Sequence, residues 1–312
     1  MSPAAERTAE TPDPLLLLPL RQRIHEQRLG VRALHLHRPG RAPLVHRFVD
    51  DTAENVYSVS KTVTALAVGI ARAEGLLEIE DRLVDHLPAP AGGYGEGVEQ
   101  IRLRHLLQMT SGSPVTCFVD IEREHPDPAS LFLATDLVHA PGVRFEYSNG
   151  GVLMLSRVVT EATGLSLRDW LLPRLFHPLG ILNPQWATTR AGHTWGATGL
   201  QLRSGQMARL GDVLAGGGTV DGQALVPGEW VAAMHAADSL VPTGDAEPES
   251  ARYGHGIWDC TVPGAWRADG AYGQFLLVLP AQEAMLAVTS HLEGRGGAEI
   301  LRAVWQELLP LL

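Results

Sequence analysis

The period of the hydrophobic pattern changes twice along these 312 residues, and the order of the changes limits the folds open to the chain. "VRALHLHR" and "PLVHRFV", joined by "PGRA", alternate apolar and polar residues, the period of two that a pleated strand imposes; they predict a hairpin. From about residue 76 to 190 no strand pattern is evident. "IRLRHLLQM", "GGVLMLSRVVTEATG" and "LRDWLLPRLF" carry a helical period there, joined by loops rich in Pro and Gly. Further on, "GLQLRSGQMARLGDVLAGGG" predicts a helix entered through a polar turn, and "QFLLVLP" and "AMLAVTSH", parted by "AQE", predict two strands. A last helix is expected over 297–309 and a first one near Leu15 to Arg28, after a flexible tail over 1–14 that is rich in Pro, Glu, Thr and Ala. The order predicts an α+β fold: an antiparallel β-sheet flanked by terminal helices, residues 15–75 and 191–312, with an inserted all-helical lobe over 76–190.

Composition removes several functions. The formal charge is -10 and basic runs are missing, so contacts to a nucleic-acid backbone, which need clustered Lys and Arg, are not expected. No apolar stretch approaches the about 20 residues needed to cross a bilayer. The start, "MSPAAERTAETPDPLLLLPLRQRI", has acids before Leu15 to Leu18, no basic segment, and Pro19 soon after, which is not the pattern of a secretory signal. The chain reads as cytoplasmic, with no membrane partner. Cys117 and Cys260 lack C-x-x-C spacing and read as reduced, structural thiols. His35 and His37 share one face of a strand; a zinc site there lacks further ligands, and no metal is expected.

Within "VYSVSKTVTAL", residues 56–66, stands Lys61, the only lysine among 25 lysines and arginines. A composition that has moved so far towards arginine keeps a lysine where an amine must lose its proton, which arginine cannot do. Ser58 precedes it by one helical turn, and positions i and i+3 share a face. Lys61 opens the apolar run Thr62 to Ala73, so burial is expected to lower its pKa, and the helix N-terminus offers Ser58 a positive field and a backbone N–H for an oxyanion. A serine hydroxyl needs such a base within reach. "FEYSNGG" adds Tyr147, a phenol able to move a proton, and Asn149, an amide able to orient a carbonyl.

Ser58-Val59-Ser60-Lys61 and Tyr147-Ser148-Asn149 resemble the first two motifs of the serine β-lactamase and penicillin-binding-protein superfamily, in its class C β-lactamase, DD-peptidase and esterase branch. "GLLEIEDRLVDHLP", "IRLRHLLQMTSG", "PGVRFEYSNGGVLMLSRVVTEATG", "LFHPLGI" and "LVPGEWV" extend the resemblance over most of the chain beyond residue 30. It implies a two-lobe fold with Ser58 at the junction, Lys61 and Tyr147 sharing proton transfer, and Asn149 holding substrate.

The third motif departs from the β-lactamase pattern. In place of Lys-Thr-Gly stands "WRADGAYGQFLLVLP", residues 266–280, which resembles instead the Gly-rich strand of family esterases and 6-aminohexanoate-oligomer hydrolases. Small residues at Gly270 and Ala271 would let a substrate approach the backbone, and the resemblance makes the Ala271 N–H a second oxyanion donor beside that of Ser58; a bulge in an edge strand is an equal reading of the glycines. Arg267 could meet a lactam carboxylate, but Asp269 would oppose it. His255 and Trp258, in "YGHGIWD", are candidates to line the pocket, core packing being an equal reading for Trp258. No Gly-Lys phosphate loop, G-x-G-x-x-G, H-E-x-x-H or G-x-S-x-G is present, which removes nucleotide, zincin and α/β-hydrolase chemistry. The expectation is a cofactor-free serine hydrolase forming an acyl-enzyme with a small ester or amide. A β-lactamase or D-amino-acid peptidase with the same machinery, or an acylatable sensor that does not turn over, are the alternatives.

Overall fold

A computed structural model describes residues 13–116, 127–245, 247–294 and 297–312. After a short 3-10 turn, helix α1 (Leu18–Gln27) leads into strands β1 (Val31–His37) and β2 (Leu44–Arg47), then β3 (Glu54–Asn55) and helix α2 (Val59–Ala73). Helices α3 (Leu83–His86), α4 (Leu103–Leu107), α5 (Pro128–Ala134), α6 (Asn149–Thr163) and α7 (Leu167–Leu171) follow. The chain then forms β4 (Gln185–Trp186), β5 (Leu200–Leu202), α8 (Ser204–Ala215), the small hairpin β6 (Thr219–Val220) and β7 (Gln223–Ala224), and α9 (Gly228–Met234). Strands β8 (Val241–Pro242), β9 (Arg252–Tyr253), β10 (Trp258–Asp259), β11 (Trp266–Gly270), β12 (Gln274–Leu279) and β13 (Ala284–Ser290) precede α10 (Ala298–Ala303), whose continuation runs to Leu311.

The main sheet has eight antiparallel strands in the order β2-β1-β13-β12-β11-β10-β9-β8. Its central strands are covered on both faces, which is why "QFLLVLP" and "AMLAVTSH" read as nearly continuous apolar runs. Phe275, Leu277, Leu286 and Val288 join the cluster of Leu20, Ile24, Ile300 and Val304 from the terminal helices. Leu276, Val278, Met285 and Ala287 join the other cluster, with Val63 and Val68 of α2 and Leu210 of α8. Each fully buried side chain of this size stabilises the fold by about 1.5–3 kcal/mol. On β1, His35 Nε2 lies 2.9 Å from Ser204 Oγ and His37 Nδ1 2.7 Å from Asp212 Oδ1, so the shared face of these histidines ties the sheet to α8.

One departure from the sequence reading is local. Inside the span expected to be wholly helical, Gln185–Trp186 pairs with Leu200–Leu202, and β3 pairs on the other side of β5 to form a second sheet, β3-β5-β4. Two residues are too few for alternation to register, so only the pairing partner reveals the strand. Of the tail expected over 1–14, residues 1–12 lie outside the described residues, as does Cys117, while Asp13 caps the 3-10 turn that begins at Pro14. Cys260 is half-buried, and burial pushes its thiol up to about 12.

Candidate active site

Helix α2 is the hub on which the candidate residues are assembled. Every residue from Val59 to Ala71 is buried. Its two buried threonines have carbonyl partners: Thr62 Oγ1 donates to Gly256 O at 2.6 Å and Thr64 Oγ1 to Gly196 O at 2.9 Å. Asn55, which the sequence reading passed over, sets the entry to this helix. Its Oδ1 accepts from the Tyr57 N–H at 2.8 Å and from the Gly199 N–H at 3.1 Å, an Asx turn that also fastens the corner to the second sheet. Tyr57 is thereby held at a left-handed φ of 49°, and the chain enters α2 at Ser58. In the first turn the N–H groups of Val59, Ser60 and Lys61 donate to the carbonyls of Val56, Tyr57 and Ser58. The Ser58 amide takes no part in this turn.

Lys61 is 2% exposed. Its Nζ lies 2.9 Å from Ser58 Oγ and 3.0 Å from the carbonyl of Ala197, and 4.8 Å from the centre of the Tyr147 ring. Burial without a carboxylate partner disfavours the ammonium, and the Lys61 pKa falls from 10.5 to about 7. The Ala197 carbonyl accepts an N–H in either protonation state, so it anchors the amine. Tyr147 moves the opposite way: desolvation raises its phenol well above the ordinary value, a hydrogen bond with Ser58 only partly offsetting this. At neutral pH the pair is therefore an amine near its midpoint beside a neutral phenol.

The turn that carries Tyr147 is fixed by its neighbours. Glu146 N–H donates to Met109 O at 2.8 Å, Ser148 Oγ caps α6 by accepting from the Gly151 N–H at 3.0 Å, and the amides of Asn149 and Gly150 donate to Thr116 O at 2.9 and 3.2 Å. Asn149 is thus the first residue of α6, two positions from Tyr147. Trp258 stacks on Tyr147, ring centres 5.7 Å apart, while Tyr253 meets both edge-on at 5.9 and 4.7 Å, and Phe145 closes the group. Trp258 is accordingly both packed and beside Tyr147. Phe145 and Tyr253 carried no signal in the sequence, because short strands and a turn bring them together.

Two expectations, for His255 and Gly270, need correction, and the reservation about Arg267 gains a structural reason. His255 is 3% exposed and its ring stacks on that of Trp230, whose Nε1–H donates to Ala65 O further along α2. Burial lowers its imidazole to about 4, so it is a neutral core residue. Arg267 cannot turn to a substrate carboxylate, because its guanidinium is buried and engaged with Asp269 Oδ2 at 3.0 Å, Asp259 O at 3.0 Å and Glu249 O at 2.8 Å. Gly270 lacks a side chain for the protein's own sake: a Cβ there would stand 2.5 Å from the Val56 carbonyl. β11 ends at Gly270, and Ala271 to Gly273 form the turn to β12. That turn lies against the start of α2, Gly270 at Val56 and the Tyr272 ring 5.0 Å from that of Tyr57, so the Ala271 backbone is held between them.

With this geometry in hand, comparison with known proteins places the chain. Residues 23–309 match the Beta-lactamase family. The chain belongs to the Beta-lactamase family. Among curated relatives, Protein flp of Staphylococcus aureus (strain NCTC 8325 / PS 47) is 26% identical over 157 residues, 49% of this chain and only 32% of that protein's length. Two solved structures of this fold align along nearly the whole chain. One, from Bacillus anthracis and provisionally named a 6-aminohexanoate-dimer hydrolase, has a TM-score of 0.76 at 17% identity, covering 94% of this chain and 81% of its own. The other, a D-stereospecific amidohydrolase from Streptomyces sp., has a TM-score of 0.72 at 19% identity, covering 96% and 99%. At these identities the likeness establishes the fold, a β-lactamase-family hydrolase fold. Among the described residues no helix is long and apolar enough to cross a membrane.

The Lys61 pKa carries a prediction. A base must be unprotonated, and an amine lowered to about 7 is mostly neutral above that pH and mostly ammonium below it. We expect kcat/KM to rise about tenfold per pH unit below the midpoint and to level off above it. A pH profile flat from 5.5 to 9 would remove Lys61 as the base.

Proposed function

We propose that this chain is a cofactor-free serine hydrolase that forms an acyl-enzyme with small neutral esters or amides. The observation that carries the reading is the buried Lys61 amine, 2.9 Å from Ser58 Oγ and lowered to about 7. In this mechanism Ser58 Oγ attacks the carbonyl carbon while its proton passes to Lys61 Nζ. The oxyanion is held by the N–H groups of Ser58 and Ala271, and Asn149 orients the acyl side. Tyr147, a neutral phenol, protonates the leaving alkoxide or amine and is resupplied from the Lys61 ammonium. Release of the first product leaves an ester on Ser58, which water cleaves when Lys61 and Tyr147 take its proton.

Charge supports neutral substrates over lactams. Arg267 is consumed by internal partners, and Asp269 remains half-buried beside the turn that holds Ala271. A substrate carboxylate would find the Arg267 guanidinium already paired with Asp269 and with backbone carbonyls. The test is a panel of short-chain nitrophenyl esters, D-amino-acid amides and a chromogenic cephalosporin. Esters or amides should exceed the cephalosporin in kcat/KM. A cephalosporin turned over fastest would overturn the preference, and a stable adduct without product release would replace the enzyme by an acylatable sensor.

A further inference from the structure

Six non-glycine residues among those described hold left-handed backbone angles, whereas 21 such positions are glycine. Of the six, Arg28, Asp221 and Glu283 are exposed residues at turns or helix ends. Two of the six are tyrosines flanking the candidate oxyanion donors: Tyr57, φ 49°, directly before Ser58, and Tyr272, φ 64°, directly after Ala271. A bulky residue at such an angle is strained, and strain of this kind persists where the side chain has a use. Burial does not compensate at Tyr272, which is 40% exposed. The two rings lie 5.0 Å apart at 54°, and Tyr272 stacks on His291 at 5.0 Å and 15°. The row is built from both ends: the Tyr57 amide is held by Asn55 Oδ1, Leu292 N–H donates to Tyr272 O at 3.1 Å, and His291 Nε2 lies 3.0 Å from Glu293 Oε1.

We propose that Tyr57, Tyr272 and His291 form an aromatic subsite that takes a flat aromatic ring of the substrate, beside Ser58. The inference rests on the reading of Ser58 as nucleophile, since that reading makes this rim part of a substrate site. Aromatic rings offer an aromatic guest offset or edge-on contacts that a saturated ring of the same size cannot make. Hydrophobic burial alone would favour the saturated guest, which is the more apolar of the two. The ring can belong to the leaving group or to the acyl group.

Binding to the Ser58→Ala protein, followed by NMR titration, separates the subsite from the chemistry. Phenyl acetate is compared with cyclohexyl acetate, and methyl phenylacetate with methyl cyclohexylacetate, so that the pair showing the preference tells which part of the substrate carries the ring. The aromatic member of one pair should bind about two- to tenfold tighter. Adding Tyr272→Gly, which removes the ring and relieves the backbone angle, should bring that ratio to near one, whereas Tyr272→Phe should keep it. No aromatic preference in either pair, or a preference untouched by Tyr272→Gly, overturns the subsite. Phenol released from phenyl acetate by Ser58→Ala at the wild-type rate would instead show that the nucleophile was wrongly assigned, and the binding ratios would still decide the subsite.

Discussion

Lys61→Arg should lower kcat/KM for ester hydrolysis by about 10²- to 10⁴-fold, the range for loss of a positioned base. Arginine keeps the positive charge but stays protonated at any working pH, so it cannot accept the Ser58 proton. The site would also lose the property that distinguishes it, a buried amine lowered to about 7 by desolvation alone. The acid limb of the pH profile should vanish with the activity. Because a guanidinium is bulkier than an ammonium in a site that is 2% exposed, Lys61→Gln is the companion variant: it is smaller, uncharged and equally unable to serve as a base. Near-wild-type turnover by either variant, measured in steady state with thermal melts alongside, would make the role of Lys61 structural.

Tyr147→Phe is expected to reduce kcat by a similar order, about 10²- to 10⁴-fold, and to leave the melting temperature almost unchanged. The ring contacts with Trp258 and Tyr253 survive the change, and only the hydroxyl is lost. Since burial holds this phenol neutral well above the working range, its loss removes a proton donor and relay while Lys61 remains as base. In the proposed mechanism it serves both half-reactions, so a pre-steady-state burst should slow together with the steady state. An unchanged kcat, or a loss explained by unfolding, would take Tyr147 out of the mechanism.

What the sequence discloses and what it conceals follow from the range of the interactions involved. Ser58 and Lys61 are legible because their relation is one helical turn, and the composition marks the lysine as an exception. The hairpin β1–β2 and the pair β12–β13 are legible because alternation or a bounded apolar run spans four or more residues. Strands β4, β8, β9 and β10 have two residues each and exist through their partners alone. Arg267 illustrates the same limit for the site. Its neighbour in sequence is Asp269, but its fate is decided by Glu249 O and Asp259 O, 18 and 8 residues away. Gly270 looks like an opening for substrate until the Val56 carbonyl, more than 200 residues earlier, is seen to fill the space. His255 looks like a pocket residue until Trp230 covers it. Local chemistry is written in spacing, whereas the availability of a side chain depends on contacts that only the fold brings about.

The most direct test of the central claim is mass spectrometry of a rapidly quenched reaction with nitrophenyl acetate. One acetyl group should appear on the peptide containing Ser58, at the rate of the nitrophenol burst, disappear as the substrate is exhausted, and be missing from Ser58→Ala, which should also lack turnover. Nitrophenol release at the normal rate with no acyl group on Ser58, or with the group on another residue, would contradict the account.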